Sequence, residues 1–167
     1  MAQFDEHRRD LDIVRFTPHS VDAKDIAAIA AYAGRAHRIG DPVPLYTSET
    51  SDVAEREFGH HRIELRGRHV RRTRLHAQLR TADLLTRAQA EAAGTTLEAL
   101  SAEAWDECQR VVQQAFAQGA EAVRLLSARC ALDPTAINVV ISRAALGDVR
   151  VVSIDYPTLG SDTDPET

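Results

Sequence analysis

From Val70 to Arg80 apolar and polar residues alternate, with Leu75, Ala77 and Leu79 on one side and Arg74, His76, Gln78 and Arg80 on the other. A period of two sends successive side chains to opposite faces, so this stretch predicts a half-buried β-strand. Between Leu97 and Gln118 the period changes. Trp105, Cys108, Val112, Ala115 and Phe116 recur at helical spacing and form one apolar stripe, with Thr95 and Glu98 as an expected capping box and Gly119 as the stop. Four shorter β-rich runs complete the pattern: Leu11–Thr17 ahead of Pro18, and Val123–Leu126, Ile137–Ile141 and Val149–Ile154 among turn residues. After Pro42 and Pro44, Leu45–Thr47 reads as an edge or terminal strand, because proline is tolerated at a strand's start but not within it.

Two further helices are expected. One runs over Asp25–Ala33 and stops at Gly34, the residue that most easily takes the left-handed conformation past a helix end, so Arg35 should open a loop. The other starts at Ser51 or Asp52, with Glu55 three residues after Asp52 in capping-box spacing. Strands and helices mix without strict alternation, which predicts a small α+β domain with a mixed, mainly antiparallel sheet rather than a doubly wound one. Residues 1–10 read as an N-terminal extension, 11–155 as the domain, and 156–167 as a polar tail expected to be disordered.

Composition narrows the function classes. The chain has 167 residues, 44% of them apolar and 27% charged, which fits one globular domain with its own core. Its net charge is −5, with Lys24 the single lysine among the cations. No apolar run approaches the roughly 18 residues of a membrane span. No hydrophobic stretch follows the charged N-terminal residues, so a cytoplasmic address is expected. Cys108 and Cys130 lack paired spacing, excluding a zinc ribbon or redox pair, and both are expected to be core thiols. There is no phosphate-binding glycine loop, dinucleotide fingerprint, nucleophile-elbow serine or His-Glu-x-x-His.

Two weaker signals carry little weight. His60 follows Glu57 by three residues, half the pattern of a di-iron site, but no second copy exists, so no metal is expected. Eight arginines and four histidines lie between Arg56 and Arg80, opposed only by Glu57 and Glu64. That stretch would suit nucleic acid, yet the chain is acidic overall and no aromatic is interleaved beyond Phe58, so a solvated strand face is the plainer reading.

The informative feature is a series of polar residues at element ends: Arg15 beside Phe16, Arg35 past a helix, Tyr46 in a short strand, Glu57 in a helix and Ser127 after a strand. Singly, each has an ordinary surface or core explanation. Gly34-Arg35, then Gly40-Asp-Pro-Val-Pro-Leu-Tyr46-Thr-Ser-Glu-Thr, Ala54-Glu-Arg-Glu57-Phe, and Ser127-Ala-Arg129 followed by Ile137-Asn-Val-Val-Ile together resemble the RES-domain family, named for its Arg, Glu and Ser. The resemblance spans about Leu11 to Ile154.

What the resemblance implies is an ADP-ribosyltransferase-like fold acting on NAD⁺ as substrate, without metal. Family members are typically bacterial toxins restrained by an antitoxin with an Xre-like helix-turn-helix domain. The family's arginines fall on Arg15 and Arg35, its aromatic on Phe16, its tyrosine on Tyr46, its glutamate on Glu57 and its serine on Ser127. Glu57, Arg35 and Tyr46 are the expected catalytic set; Arg15, Phe16, Arg35, Tyr46 and Ser127 are the expected NAD⁺-binding set. The family usually has an aromatic and an asparagine after its second arginine, where this chain has Ala36-His37-Arg38, and a glycine pair after its serine, where this chain has Cys130-Ala131-Leu132. A binding module of the same fold and a nucleic-acid-binding protein are the alternative readings. Oligomeric state is left open.

Overall fold

A computed structural model describes residues 1–26, 34–130 and 133–160. In chain order the elements are β1 (Asp5–Thr17), β2 (Leu45–Ser48), α1 (Ser51–His61), a 3-10 turn (Ile63–Leu65), β3 (Arg71–Leu84), α2 (Arg87–Ala92), α3 (Leu97–Leu100), α4 (Asp106–Ala117), β4 (Ala122–Leu126), β5 (Ile137–Ile141), a second 3-10 turn (Arg143–Asp148) and β6 (Arg150–Asp155). The expected helix over Asp25–Ala33 falls mostly on 27–33, outside the described residues, as do 161–167 of the tail expected to be disordered over 156–167; its first part is instead held in place, Thr158 bridging His69 and Leu159 buried in a core cluster.

The sheet runs β1-β2-β5-β4-β3-β6, and β3 also pairs with β1. Five strands therefore close on themselves, with β6 added outside on β3. Among the described residues only β3–β4 is parallel; the other pairings are antiparallel, as expected of a mixed, mainly antiparallel α+β sheet. Period-two alternation then sorts the side chains. Leu11, Ile13, Leu45, Leu75, Ala77, Leu79, Ala122, Val139 and Ile141 fill the interior, drawn from all five strands. The outer face carries two further cores: Ala82, Leu84, Val123, Leu125 and Val140 beneath α2, α3 and α4, and Val14 and Phe16 beneath α1, which contributes Ala54.

Several boundaries differ from the sequence expectation, each for a local reason. β1 begins at Asp5 rather than Leu11, because its charged first half pairs residue for residue with β3, from Asp5 opposite Asp83 to Thr17 opposite Arg71. Hydrogen bonding along a ladder is blind to side-chain polarity, so the period gave no sign of it. β3 continues past Arg80 to Leu84, although Asp83 looks like a strand breaker. Asp83 is buried, and its carboxylate is held by Arg9 at 2.7 Å and Arg124 at 2.9 Å, which makes the burial tolerable.

The helix expected over Leu97–Gln118 is two pieces, α3 and α4, and α2 forms ahead of them where no helix was expected. α2 has its own capping box, Thr86 with Gln89, and α3 is capped by Thr96 rather than Thr95, so the expected Thr95–Glu98 box is replaced. α3 ends at Leu100, and Ser101–Ala104 separate it from α4. α1 is likewise capped one residue earlier than expected, by the Thr50 hydroxyl accepting from Val53 N at 3.3 Å. Cys108 is buried as expected, but Cys130 is half-exposed. Burial pushes the Cys108 thiol up, with Arg35 opposing it.

Candidate active site

α1 turns Val53, Ala54, Glu57 and Phe58 toward the sheet, at positions where an amphipathic helix ordinarily places apolar side chains. A carboxyl group in that stripe needs hydrogen bonds, and two donors meet it. Ser127 Oγ donates to Glu57 Oε1 at 2.6 Å, and Asn138 Nδ2 donates to the same oxygen at 2.7 Å. Glu57 Oε2 takes no hydrogen bond among the described residues. Ser127 is fully buried where β4 ends, and its Oγ also accepts from Arg129 N at 3.2 Å. Asn138 is oriented in turn by the Ser48 hydroxyl, which donates to its Oδ1 at 2.8 Å. The amide thus accepts on one end and donates on the other, which fixes its direction.

Tyr46 and Ser48 face Val140 and Asn138 across the β2–β5 ladder, on the outer face of the sheet. Tyr46 is therefore about 7 Å along the strand from the Ser48–Asn138 pair. Its hydroxyl accepts from Ala36 N at 3.0 Å and shares a 2.7 Å hydrogen bond with His37 Nδ1. With the backbone N–H donating to the phenol oxygen, the phenol's own proton is free to go to Nδ1. Burial raises the Tyr46 pKa, so the phenol stays protonated and able to donate.

The turn that Tyr46 grips is the one carrying Arg35. Gly34 N donates to His37 O at 2.9 Å, and Gln109 Nε2 on α4 donates to both Gly34 O and His37 O, at 2.8 and 3.1 Å. Gln113, one turn further along α4, donates to Ala36 O at 2.9 Å. Gly34 is required here by close approach, not by the left-handed conformation expected of it. It is absent from the glycines with positive φ, and a Cβ on it would lie 2.4 Å from the Tyr46 hydroxyl. Removing that hydroxyl in Tyr46→Phe takes the acceptor from Ala36 N and one hydrogen bond from His37. We expect a loss of about 1–3 kcal/mol of stability, read as a lower denaturation midpoint.

Arg35 spans from that turn to the ends of two other elements. Its Nε and Nη2 donate to Leu100 O, at the end of α3, at 3.2 and 2.8 Å, and its Nη1 donates to Leu126 O at 3.0 Å. Leu126 immediately precedes Ser127, so Arg35 and Glu57 are joined through two consecutive residues at the end of β4. The structure thereby brings Glu57, Ser127 and Arg35 into one linked set, with Tyr46 anchoring the Arg35 turn.

Arg15 and Phe16 are placed differently. As neighbours in β1 they point to opposite faces. Arg15 donates to Ala23 O at 2.9 Å, and burial pulls its pKa down to about 10, with Asp25 and Asp22 opposing. Phe16 is buried and stacks on Phe58, ring centroids 6.1 Å apart, beneath α1. No hydrogen bond or ring contact joins either of them to Glu57 among the described residues.

His61 lies one turn beyond Glu57 on α1; partial burial lowers its pKa, Glu57 opposes that shift, and His60 and Arg129 reinforce it. Among the described residues no cluster of three or more His, Cys, Asp or Glu could hold a metal ion. Much of the arginine stretch has partners within the chain: Arg72 pairs with Asp155, Arg62 donates to Glu64 at 2.5 Å, and Arg80 donates to Gly119 O.

Asn138, Gln109, Gln113 and His37 are members of this network that the sequence reading missed. Asn138 left a trace, as the one polar residue in the apolar run Ile137–Ile141, and Gln109 and Gln113 are a pair four residues apart beside the α4 stripe. In Asn138→Leu the Glu57 carboxyl loses a donor. If Glu57 acts in turnover, kcat should fall about tenfold with KM nearly unchanged, since only its orientation is altered.

A chain of the M. tuberculosis MbcT–MbcA toxin–antitoxin complex has a similar fold, with a TM-score of 0.78 over 92% of this chain and 87% of that one, at 16% sequence identity. No curated protein matches the sequence. The RES domain model matches residues 12–160, a span that takes in Arg15, Arg35, Tyr46, Glu57 and Ser127, and the chain accordingly belongs to the RES-domain family.

Proposed function

We propose that the chain is a RES-type toxin that cleaves the bond between nicotinamide and ribose in NAD⁺, and that an antitoxin with an Xre-like helix-turn-helix domain restrains it. The observation that carries this reading is the inward-facing Glu57, oriented through one oxygen by Ser127 and Asn138 while the other stays available. The nicotinamide of NAD⁺ is already cationic, so its departure needs no general acid. What the reaction needs is an anion beside the ribose, where positive charge grows as the glycosidic bond lengthens toward an oxocarbenium-like transition state. Glu57 Oε2 is assigned that task, together with a ribose hydroxyl or the incoming nucleophile.

Arg35 is assigned to the pyrophosphate, whose oxygens match the guanidinium fork. To bind it, the guanidinium would exchange backbone carbonyl acceptors for charged phosphate oxygens, a change that favours the bound state. Ser127 and Tyr46 would border the nicotinamide side, and Arg15 would add positive charge. Phe16 would contribute through the packing of α1, since Phe58 covers its ring. Family membership and the resemblance to a chain solved in a toxin–antitoxin complex support the toxin reading.

Incubation with NAD⁺, with and without phosphate, followed by identification of every product tests the proposal. Free nicotinamide is expected in both reactions, and the partner product separates the acceptors: ADP-ribose for water, a phosphorylated ADP-ribose for phosphate, or a modified protein. NAD⁺ recovered intact would overturn the enzymatic reading and leave a binding module of this fold.

A further inference from the structure

The last strand, β6, is exposed at all six positions, including Val151 at 44%, Val152 at 56% and Ile154 at 44%, and Tyr156 after it is also 44% exposed. β6 pairs with β3 along one edge; among the described residues its other edge is free. Free edges are usually blunted by charges within the strand or by a covering element. Here the middle of the strand is Val-Val-Ser-Ile, with Arg150 at one end and Asp155 at the other.

The register on β3 explains why this pattern is more than exposed apolar surface. Arg150 lies opposite His76, Val151 opposite Leu75, Ser153 opposite Arg74, Ile154 opposite Thr73 and Asp155 opposite Arg72, so Val152 is the extra residue of a β-bulge. In a regular strand, residues separated by an odd number fall on opposite faces. The bulge corrects that parity. Val151 and Ile154 share the face of the buried Leu75 and Thr73, while Arg150 and Asp155 share the face of the partly exposed His76 and Arg72.

A strand of this design is complementary to itself. Two copies laid antiparallel about a two-fold axis between Val152 and Ser153 set Arg150 opposite Asp155 and Val151 opposite Ile154. Each pair lies on matching faces and, by the symmetry, forms twice. Arg150 has no ion-pair partner within its own chain among the described residues. Asp155 is paired with Arg72, yet its side chain is 51% exposed, and a carboxylate has acceptor sites for a second guanidinium. We infer that the occupant of this edge is a second copy of the chain, and that the protein forms a two-fold homodimer through β6–β6 pairing in this register. An unrelated strand could use the backbone edge but would lack the doubled charge and apolar match.

The test is sedimentation equilibrium of the full chain across a concentration series, with circular dichroism to confirm folding. Wild type is expected to dimerise. Val152→Lys, which places a charge at an already exposed position of the edge, should raise the dimer dissociation constant. Arg150→Glu and Asp155→Arg should each weaken self-association by about tenfold or more, because each sets like charges opposite each other twice. An equimolar mixture of Arg150→Glu and Asp155→Arg chains should recover dimers, since both cross-strand pairs are again of opposite sign. A wild type that stays monomeric overturns the inference. So does a dimer indifferent to Val152→Lys, or a mixture no more associated than its separate components.

Discussion

Glu57→Gln is expected to abolish most of the proposed NAD⁺ cleavage while leaving the fold in place, with turnover falling roughly 100- to 10,000-fold. The amide has nearly the shape of the carboxyl group, and its oxygen can still accept from Ser127 and Asn138, the donors that meet at Oε1 in the wild type. What disappears is the negative charge. Because a charge-dependent term acts mainly on the transition state, kcat should carry the loss and KM should move little. Nicotinamide release, followed with purified wild type and variant at equal concentration, is the measurement. A variant within tenfold of wild type would remove Glu57 from the chemistry, whatever its place in the network.

Arg35→Lys is the second large effect, and it falls on stability and substrate affinity together. The guanidinium fork reaches Leu100 O and Leu126 O at once, tying the end of α3 to the end of β4. A lysine keeps the charge but presents one compact ammonium in place of the fork, so it cannot serve both carbonyls and a diphosphate in the same geometry. We expect a stability loss of about 1–3 kcal/mol, as for a charged donor whose partners are left unpaired. KM for NAD⁺ should rise by about tenfold or more, measured below the variant's denaturation midpoint. An unchanged KM with lowered stability would make Arg35 purely a tie between elements.

The two predictions differ because the two residues do. Glu57 is a guest in the apolar stripe of a helix, held only through its oxygen, so its charge can be deleted at small structural cost. Arg35 is a structural member even without ligand: Gln109, Gln113, Tyr46 and Gly34 all act on its turn. The Ala36-His37-Arg38 departure from the family pattern acquires a role in the same place, with His37 buried against the Tyr46 hydroxyl.

Much was legible in the sequence where a single period dominates. The alternation over Val70–Arg80 marked the central strand, and Ile137–Ile141 appears with the expected limits. The site residues could be named in sequence because their types and order match a family pattern, not because any local signal tied one to another. Missing from that reading were the partners: Asn138 beneath Glu57, and the α4 glutamines behind Arg35. Each is a polar residue whose meaning comes from a neighbour more than seventy positions away.

The chain's own order of residues determined which segments extend and which coil, the α+β class, and the presence of an arginine, a tyrosine, a glutamate and a serine in or beside those elements, because local periodicity and capping act over a few residues. Tertiary structure alone decided that β1 would zip along β3 from Asp5, that the long helical stretch would break so that Arg35 could bind the carbonyl of Leu100, and that Glu57 would meet Ser127 and Asn138. Closing five strands into a barrel brings distant polar groups to one face, and there the cost of leaving a buried donor or acceptor unpaired chooses the partners.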